Sequence, residues 1–347
     1  MRAQWAPYRL DFRFLARTSR ESMRHKNTYF VRVSDSDGRS ACGECALFRG
    51  LSADDCDNYE HELARRCAEP ESVADCTYSS IRFGIETALE SLSAPASLAA
   101  GTRMWKSGGL PIPINGLIWM GDKLEMTRRI DAKLAEGFKV LKLKIGGISF
   151  DDELDLLKYV RSQYAPDRLE LRLDANGSFS GSDAMRRLEA LAPYAVHSIE
   201  QPVKAGQPEL MARLCASSPI PIALDEELIG VTPEAEMRQR LEYIRPAYII
   251  LKPALCGGLS GARRWVAAAE ATGTGYWFTS ALESNIGLDA IAGLAAGCGV
   301  SMPQGLGTGE LYINNVEGPV YRSGDKICFN PQRPWILPKL DWTTRPF

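Results

Sequence analysis

Histidine is scarce: His25, His61 and His197 are the three in a chain of 347 residues. No segment is long and apolar enough to cross a bilayer as a helix, so no spanning helix is expected. The opening stretch MRAQWAPYRLDFRF lacks the apolar core of a signal peptide, and a cytoplasmic protein is expected. Neither sign of charge dominates: 41 Lys and Arg stand against 43 Asp and Glu, a formal net charge of -2. Such a balance gives no sign of a nucleic-acid or membrane-surface partner. Cysteine, by contrast, is plentiful at nine, an odd count in a chain large enough to fold without staples, which points to reduced thiols. Cys42 and Cys45, in SACGECAL, form the one pair with metal-ligand spacing. A zinc site would need a second pair nearby, so these two read as small apolar strand residues.

What remains is a composition for burying a core, with 45% apolar residues. The first hundred residues read as α+β. TYFVRV and SACGECAL flank SDSDGR, where Asp37-Gly38 is a hairpin-turn signal. Two helical stretches follow, and in the second Ile81, Ile85, Ala88, Leu89 and Leu92 fall at helical spacing. The break at SLSAPASLAAGT places a domain boundary near residue 110.

Beyond it the rhythm changes to short apolar runs alternating with amphipathic helices. The runs are IPINGLIWM, FKVLKLKI, LELRLDAN, AVHSIEQP, IPIALDEE, AYIILKP and GYWFTSALES, with helices expected from Asp122, Phe150, Ser182, Pro208, Pro233, Leu259 and Ile286. Asp122 with Glu125 makes a capping box, and Gly137 sits where that first helix would stop. Repeated strand–helix units imply parallel strands covered by helices. Seven units, plus an eighth short run near PQGLGTGEL, fit a closed barrel better than an open sheet. The tail PQRPWILPKLDWTTRPF lacks helical periodicity and is expected to pack back on the first domain.

The segment VLKLKIGG carries Lys142 and Lys144 two residues apart, hence on one strand face. Lysine is rarely buried without a partner. Each apolar run from there ends on an ionisable group: Lys144, Asp174, Glu200, Asp225 and Lys252, separated by 30, 26, 25 and 27 residues. Taken singly, any of these acids could be a surface residue at a helix N-terminus. One strand–helix unit apart, they converge on the mouth of a barrel, where active sites sit. Three carboxylates so close need neutralising, and an all-oxygen set favours a hard cation, most simply Mg2+. A lysine beside another cation and a divalent ion is pushed toward its neutral form, and a neutral amine can take a proton. Lys252, across the mouth, could act as acid, second base or fixed positive charge.

This ordered set, with K-x-K in LKLKIGG, then LRLDANGSF, SIEQPV, ALDEE and IILKPALCGG, resembles the muconate-lactonising subgroup of the enolase superfamily. GECA and RFGIETALESL resemble that family's capping domain. The resemblance implies an α/β fold, a modified (β/α)7β TIM-type barrel with an α+β capping domain. Residues 1–110, joined by 316–347, would form the cap and 111–315 the barrel. It implies Lys144 as base, Lys142 as its electrostatic partner, Lys252 as the opposite lysine, and Asp174, Glu200 and Asp225 as ligands of Mg2+, with Mn2+ a substitute. Asn176 would orient the metal shell. Arg172 shares a strand face with Asp174 and reaches either the site or an ion pair elsewhere. Alternation sends Glu226 to the other side from Asp225, and family position favours Asp225 as ligand.

TSALESNIG, Thr279 to Gly287, resembles a run of the o-succinylbenzoate synthase family, in which Ser280 would help hold substrate. The paired-acid DxD motif of dipeptide epimerases is absent, and GLGTGELY stands in its place. The expectation is a hydro-lyase acting on a small-molecule carboxylate through a metal-stabilised enediolate, as monomer or homo-oligomer. The alternatives are an N-acylamino acid racemase, a dipeptide epimerase, or a non-catalytic barrel scaffold. The glycines of GLGTGEL could cradle phosphate, but no basic residue accompanies them. RTSRESMRHKN, Arg17 to Asn27, resembles a mobile lid, the alternative being a surface loop.

Overall fold

The computed structural model describes residues 1–17 and 22–343. Its first layer is an antiparallel sheet of β1 (Arg2–Arg17), β2 (Ser22–Ser34) and β3 (Ser40–Cys45), in that order. The β2–β3 hairpin turns where Asp37-Gly38 predicts, with Gly38 at φ +81° and Ser34 paired to Ser40. Against it pack α1 (Tyr59–Ala68) and α2 (Ser79–Leu92). Ile81, Ile85 and Ala88 of α2 are buried against Trp5, Tyr29, Val31 and Val33, and Leu89 and Leu92 lie at the edge. The polar stretch from Arg17 is not one loop: Ser22 to Asn27 belong to β2, paired with β1, and residues 18–21 lie outside the described part.

After α3 (Ala100–Lys106) the apolar run IPINGLIWM divides into two strands. β4 (Ile112–Pro113) joins a small outer sheet, and β5 (Gly116–Ile118) enters the barrel. The repeating units are then α4 (Lys123–Ala135), β6 (Val140–Lys144), α5 (Phe150–Gln163), β7 (Glu170–Asp174), α6 (Ala184–Leu191), β8 (Val196–Glu200) and α7 (Pro208–Ser217). They continue as β9 (Ile222–Leu224), α8 (Glu234–Ile244), β10 (Tyr248–Leu251), α9 (Gly258–Thr272), β11 (Gly275–Phe278) and α10 (Asn285–Gly297). The Asp122–Glu125 capping box forms at the start of α4. Among the described residues, β5 to β11 make one parallel seven-stranded sheet with neighbours in sequence order.

The ring closes through residues 304 and 305, the expected eighth run reduced to single bridges. Gln304 pairs with Ile114 on one side and Gly305 with Thr279 on the other. Gly305 N donates to the Phe278 carbonyl at 2.8 Å and Gln304 N to the Pro113 carbonyl at 2.8 Å. A Cβ on Gly305 would stand 2.1 Å from Thr279 Oγ1, so glycine at this position serves the closure. The outer sheet is completed by β12 (Val320–Ser323) and β13 (Lys326–Phe329), which pairs with β4. Beyond it the chain lies on the first layer: Thr343 N donates to the Trp5 carbonyl at 2.8 Å, and the Arg32 guanidinium lies 4.5 Å from the Trp342 ring centroid. The barrel helices press Leu156, Leu157, Leu188, Met211, Leu241 and Trp265 into a core shared with the strands.

Candidate active site

Strand register determines which side chains meet at the mouth. Lys144 pairs with Asp174, and Asp174 with Glu200, so the ends of β6, β7 and β8 stand level. Asp225 follows the last residue of β9 and Lys252 the last of β10. Lys144 and Lys252 line the same cavity of about 380 Å³. Asp174, Lys142, Asn176, Glu226 and Ser280 line it too, while Glu200 and Asp225 are buried beneath their lysine partners.

Every charge here is matched at short range. Lys144 Nζ donates to Asp174 Oδ2 at 2.9 Å and to Asn176 Oδ1 at 2.8 Å. Lys142 Nζ reaches Glu200 Oε2 at 2.5 Å and Asp174 Oδ2 at 3.0 Å. Lys252 Nζ pairs with Asp225 Oδ2. Burial alone would strip Lys142 of its proton, but Asp174 and Glu200 outweigh it and hold its pKa above the ordinary value. Both carboxylates touch this lysine directly, which is why their charge outweighs its burial. Lys252 is raised the same way: burial opposes its charge, and Asp225 and Glu200 overcome burial. Asp174 is disfavoured by burial yet held far below the carboxylate range by Lys142, Lys144 and Lys252. Burial, then repulsion from Asp174, pushes Glu200 up.

One atom of this set has no protein partner. Glu200 Oε1 is buried without a hydrogen bond, a costly state for a carboxylate oxygen. Among the described residues no three acidic, histidine or cysteine side chains form a ready metal-binding group, and Asp174, Glu200 and Asp225 are each ion-paired to a lysine.

Arg172 does not reach the cavity. It lies buried deeper in the barrel, where Nε donates to Glu170 Oε1 at 2.7 Å, Nη1 to the Pro303 carbonyl at 2.8 Å, and the guanidinium sits 4.5 Å from the Trp277 ring centroid. Glu226 faces the cavity although alternation sends it away. The chain leaves β9 at Leu224 and coils into a short 3-10 turn, Glu226–Leu228, so strand alternation no longer applies. Asn176, at φ +44°, ties the parts together: its side chain accepts from Lys144 and donates to Glu226 Oε1 at 3.2 Å. Ser280 Oγ shares a hydrogen bond of 2.6 Å with Thr308 Oγ1 in the cavity wall. Gly146, at φ +90°, lets the loop after Lys144 pass Ser178, whose Oγ would lie 2.2 Å from a Cβ.

Several cavity residues carried no signal in the sequence. Phe48, Arg49, Gly50 and Leu51 come from the segment after β3, and Leu117 and Trp119 from around β5. Asn115 also lines the wall, buried, with Oδ1 unbonded. Gln201, inside the SIEQPV motif, accepts the Asp225 and Glu227 backbone N–H groups at 3.2 and 3.3 Å, joining the ends of β8 and β9.

The Enolase C-terminal domain-like family model matches residues 125–322, more than half the chain and most of this barrel. The chain belongs to the enolase superfamily. Within the superfamily it is similar to the o-succinylbenzoate synthase of Desulfotalea psychrophila, with 43% identity covering 88% of this chain and 93% of that one. The crystal structure of MenC from Desulfotalea psychrophila LSv54 superposes with a TM-score of 0.81 at 38% identity, covering 94% of this chain and 99% of the other. The L-Ala-D/L-Glu epimerase of Bacillus subtilis, in a substrate-liganded structure, shares the fold at TM-score 0.84 with 19% identity, over 97% of this chain and 99% of that one. Both likenesses span the cap as well as the barrel. The chain is an enzyme of this superfamily.

Proposed function

We propose that this enzyme is a hydro-lyase, an o-succinylbenzoate synthase that dehydrates 2-succinyl-6-hydroxy-2,4-cyclohexadiene-1-carboxylate. The observation that carries the proposal is Lys144 and Lys252 opening into one cavity beside Asp174, joined to 43% identity with a named synthase along nearly all of both chains. The substrate is a small carboxylate whose ring becomes aromatic on losing water, the step the menaquinone route requires.

The donor set suits Mg2+, with Mn2+ as a substitute: oxygen ligands alone from Asp174, Glu200 and Asp225, and a buried Glu200 Oε1 lacking any protein partner. When bound, Mg2+ supplies positive charge that grips the substrate carboxylate and favours the negative charge arising at the α-carbon. Lys144, as the free amine, takes the proton on the carbon bearing the ring carboxylate. The C–O bond to the hydroxyl then breaks, and the hydroxide accepts that proton to leave as water. Lys252 stays protonated and presents its charge to the opposite face of the substrate. Lys142 holds Glu200 and Asp174 in place from below, and Asn176 orients Lys144. Ser280 offers its hydroxyl to the substrate from the wall.

A decisive assay uses purified protein, synthetic diene and Mg2+, following the absorbance of the diene. Turnover supports the proposal and its absence removes it. Racemisation of N-acylamino acids is the second reading, because a lysine from each side of the cavity is also what exchange at an α-carbon needs. Deuterium uptake from heavy water by N-succinylamino acids without diene turnover would favour it.

A further inference from the structure

Behind the cavity wall lies a second buried charge cluster that the reaction does not use. Lys26 of β2, Glu44 of β3 and Glu283 of the loop between β11 and α10 meet there, all buried. Glu44 is fully employed. It accepts from Thr28 Oγ1 at 2.9 Å, from Ser284 Oγ at 2.6 Å, and from the backbone of Ser284 and Gly287, capping α10 onto the first layer. Lys26 Nζ and both carboxylate oxygens of Glu283, by contrast, have no hydrogen-bond partner. Buried ionisable groups are almost always satisfied, so two opposite charges that feel each other without forming an ion pair within 4.0 Å call for an explanation.

Their position supplies one. Glu283 directly follows Ser280, Ala281 and Leu282, all of which line the cavity. Leu282 holds φ +64°, a region that side chains with a Cβ avoid, and persists there because Tyr312 Oη donates to its carbonyl at 2.7 Å. A wall in a strained conformation needs support from behind, and the cation that acts on Glu283, next in sequence to Leu282, belongs to β2 of the first layer. We propose that Lys26 and Glu283 are positioning residues, whose attraction across the boundary between cap and barrel fixes the Ser280–Leu282 wall in its substrate-binding form.

The attraction exists only while Glu283 is ionised. The titratable groups facing it are Lys26 from β2, Glu44 from β3 and Tyr312 from the segment before β12. Burial pushes the Glu283 carboxyl up to about 7, with Lys26 opposing and Glu44 adding to the push. The wall is therefore held above neutral pH and released below it.

The inference takes its substrate from the dehydration proposed above, and the test separates the two. Steady-state kinetics with the diene from pH 6 to 9 compare the wild type with Glu283→Gln, Lys26→Met and the double variant, each checked for folding by circular dichroism. In the wild type KM rises as pH falls below 7. Glu283→Gln has a KM raised about tenfold at pH 8 that no longer varies with pH, with kcat within about threefold. Lys26→Met, which leaves Glu283 nothing to attract, likewise has a KM raised about tenfold at pH 8 with little dependence on pH, and the double variant is no worse than either single variant. A Glu283→Gln profile superimposed on the wild type, or a loss confined to kcat, overturns the inference. Backbone amide resonances of Ala281 to Ser284 provide a readout free of substrate. Their titration near neutral pH must shift upward in Lys26→Met, and an unshifted titration overturns the coupling even if no diene is consumed.

Discussion

Lys144 and Lys252 enter one cavity from β6 and β10, and each is ion-paired to a different aspartate, Asp174 and Asp225. Three strands separate them, so the two side chains enter the cavity from different sides. Lys144→Ala should lower kcat for diene dehydration by about 10³-fold or more, and should abolish α-proton exchange as well. Lys252→Ala should also suppress dehydration, by about 10²–10³-fold, because it removes fixed charge beside the reacting carbons. Near wild-type turnover in Lys252→Ala would show that this charge is not needed.

The proposed metal dependence rests on the carboxylates. Chelation should abolish turnover, and either Mg2+ or Mn2+ should restore it. Asp174→Asn should weaken Mg2+ binding by about tenfold or more in titration calorimetry, a loss at least as large as that typical of removing an outer support. Unchanged affinity would remove Asp174 from the ligand set.

Lys142 matters for folding as well as chemistry. It is buried and bonded to Glu200 and Asp174, so its loss leaves two buried carboxylates facing each other. Lys142→Met should cost about 3–5 kcal/mol in urea unfolding carried out with chelator present. A cost below about 1 kcal/mol would mean the carboxylates relax apart freely.

Glu283 gives stability an unusual pH dependence. Its folded carboxyl titrates at about 7 against an ordinary value of 4.5. Between those limits the folded chain keeps a proton that the unfolded chain has released, so this residue makes stability fall as pH rises from about 4.5 to 7 and level off above. The contribution is on the order of 3 kcal/mol. Unfolding free energies across that range should lose this component in Glu283→Gln, and identical slopes for both proteins would contradict it.

Much of this site is legible in the sequence because a barrel repeats. One strand–helix unit takes 25 to 30 residues here, so Lys144, Asp174, Glu200, Asp225 and Lys252 announce a common height without any knowledge of contacts. Alternation alone misleads at Arg172. It shares Asp174's face but sits two residues, about 7 Å, further down the barrel, in a lower layer of the interior. Lys142 sits equally low, yet its long side chain climbs to Glu200 and Asp174. Glu226 escapes alternation because the strand has already ended. Phe48 to Leu51 and Lys26 reach their places only when the first layer docks on the barrel, and no local spacing encodes that contact. The N-terminal strand β1 carries a period-two signal that is open to reading, with Ala6, Leu10, Phe12 and Ala16 buried and Arg9, Asp11 and Arg13 between them on the wetter face.

The measurement that bears most directly on the two-lysine, three-carboxylate site is single-turnover consumption of the diene by wild type and Lys144→Ala, each with Mg2+ and with chelator. Rapid loss of diene absorbance in the wild type with Mg2+ alone, and in none of the other three samples, is the predicted result. Consumption by Lys144→Ala at the wild-type rate, or by the wild type after complete chelation, would contradict it.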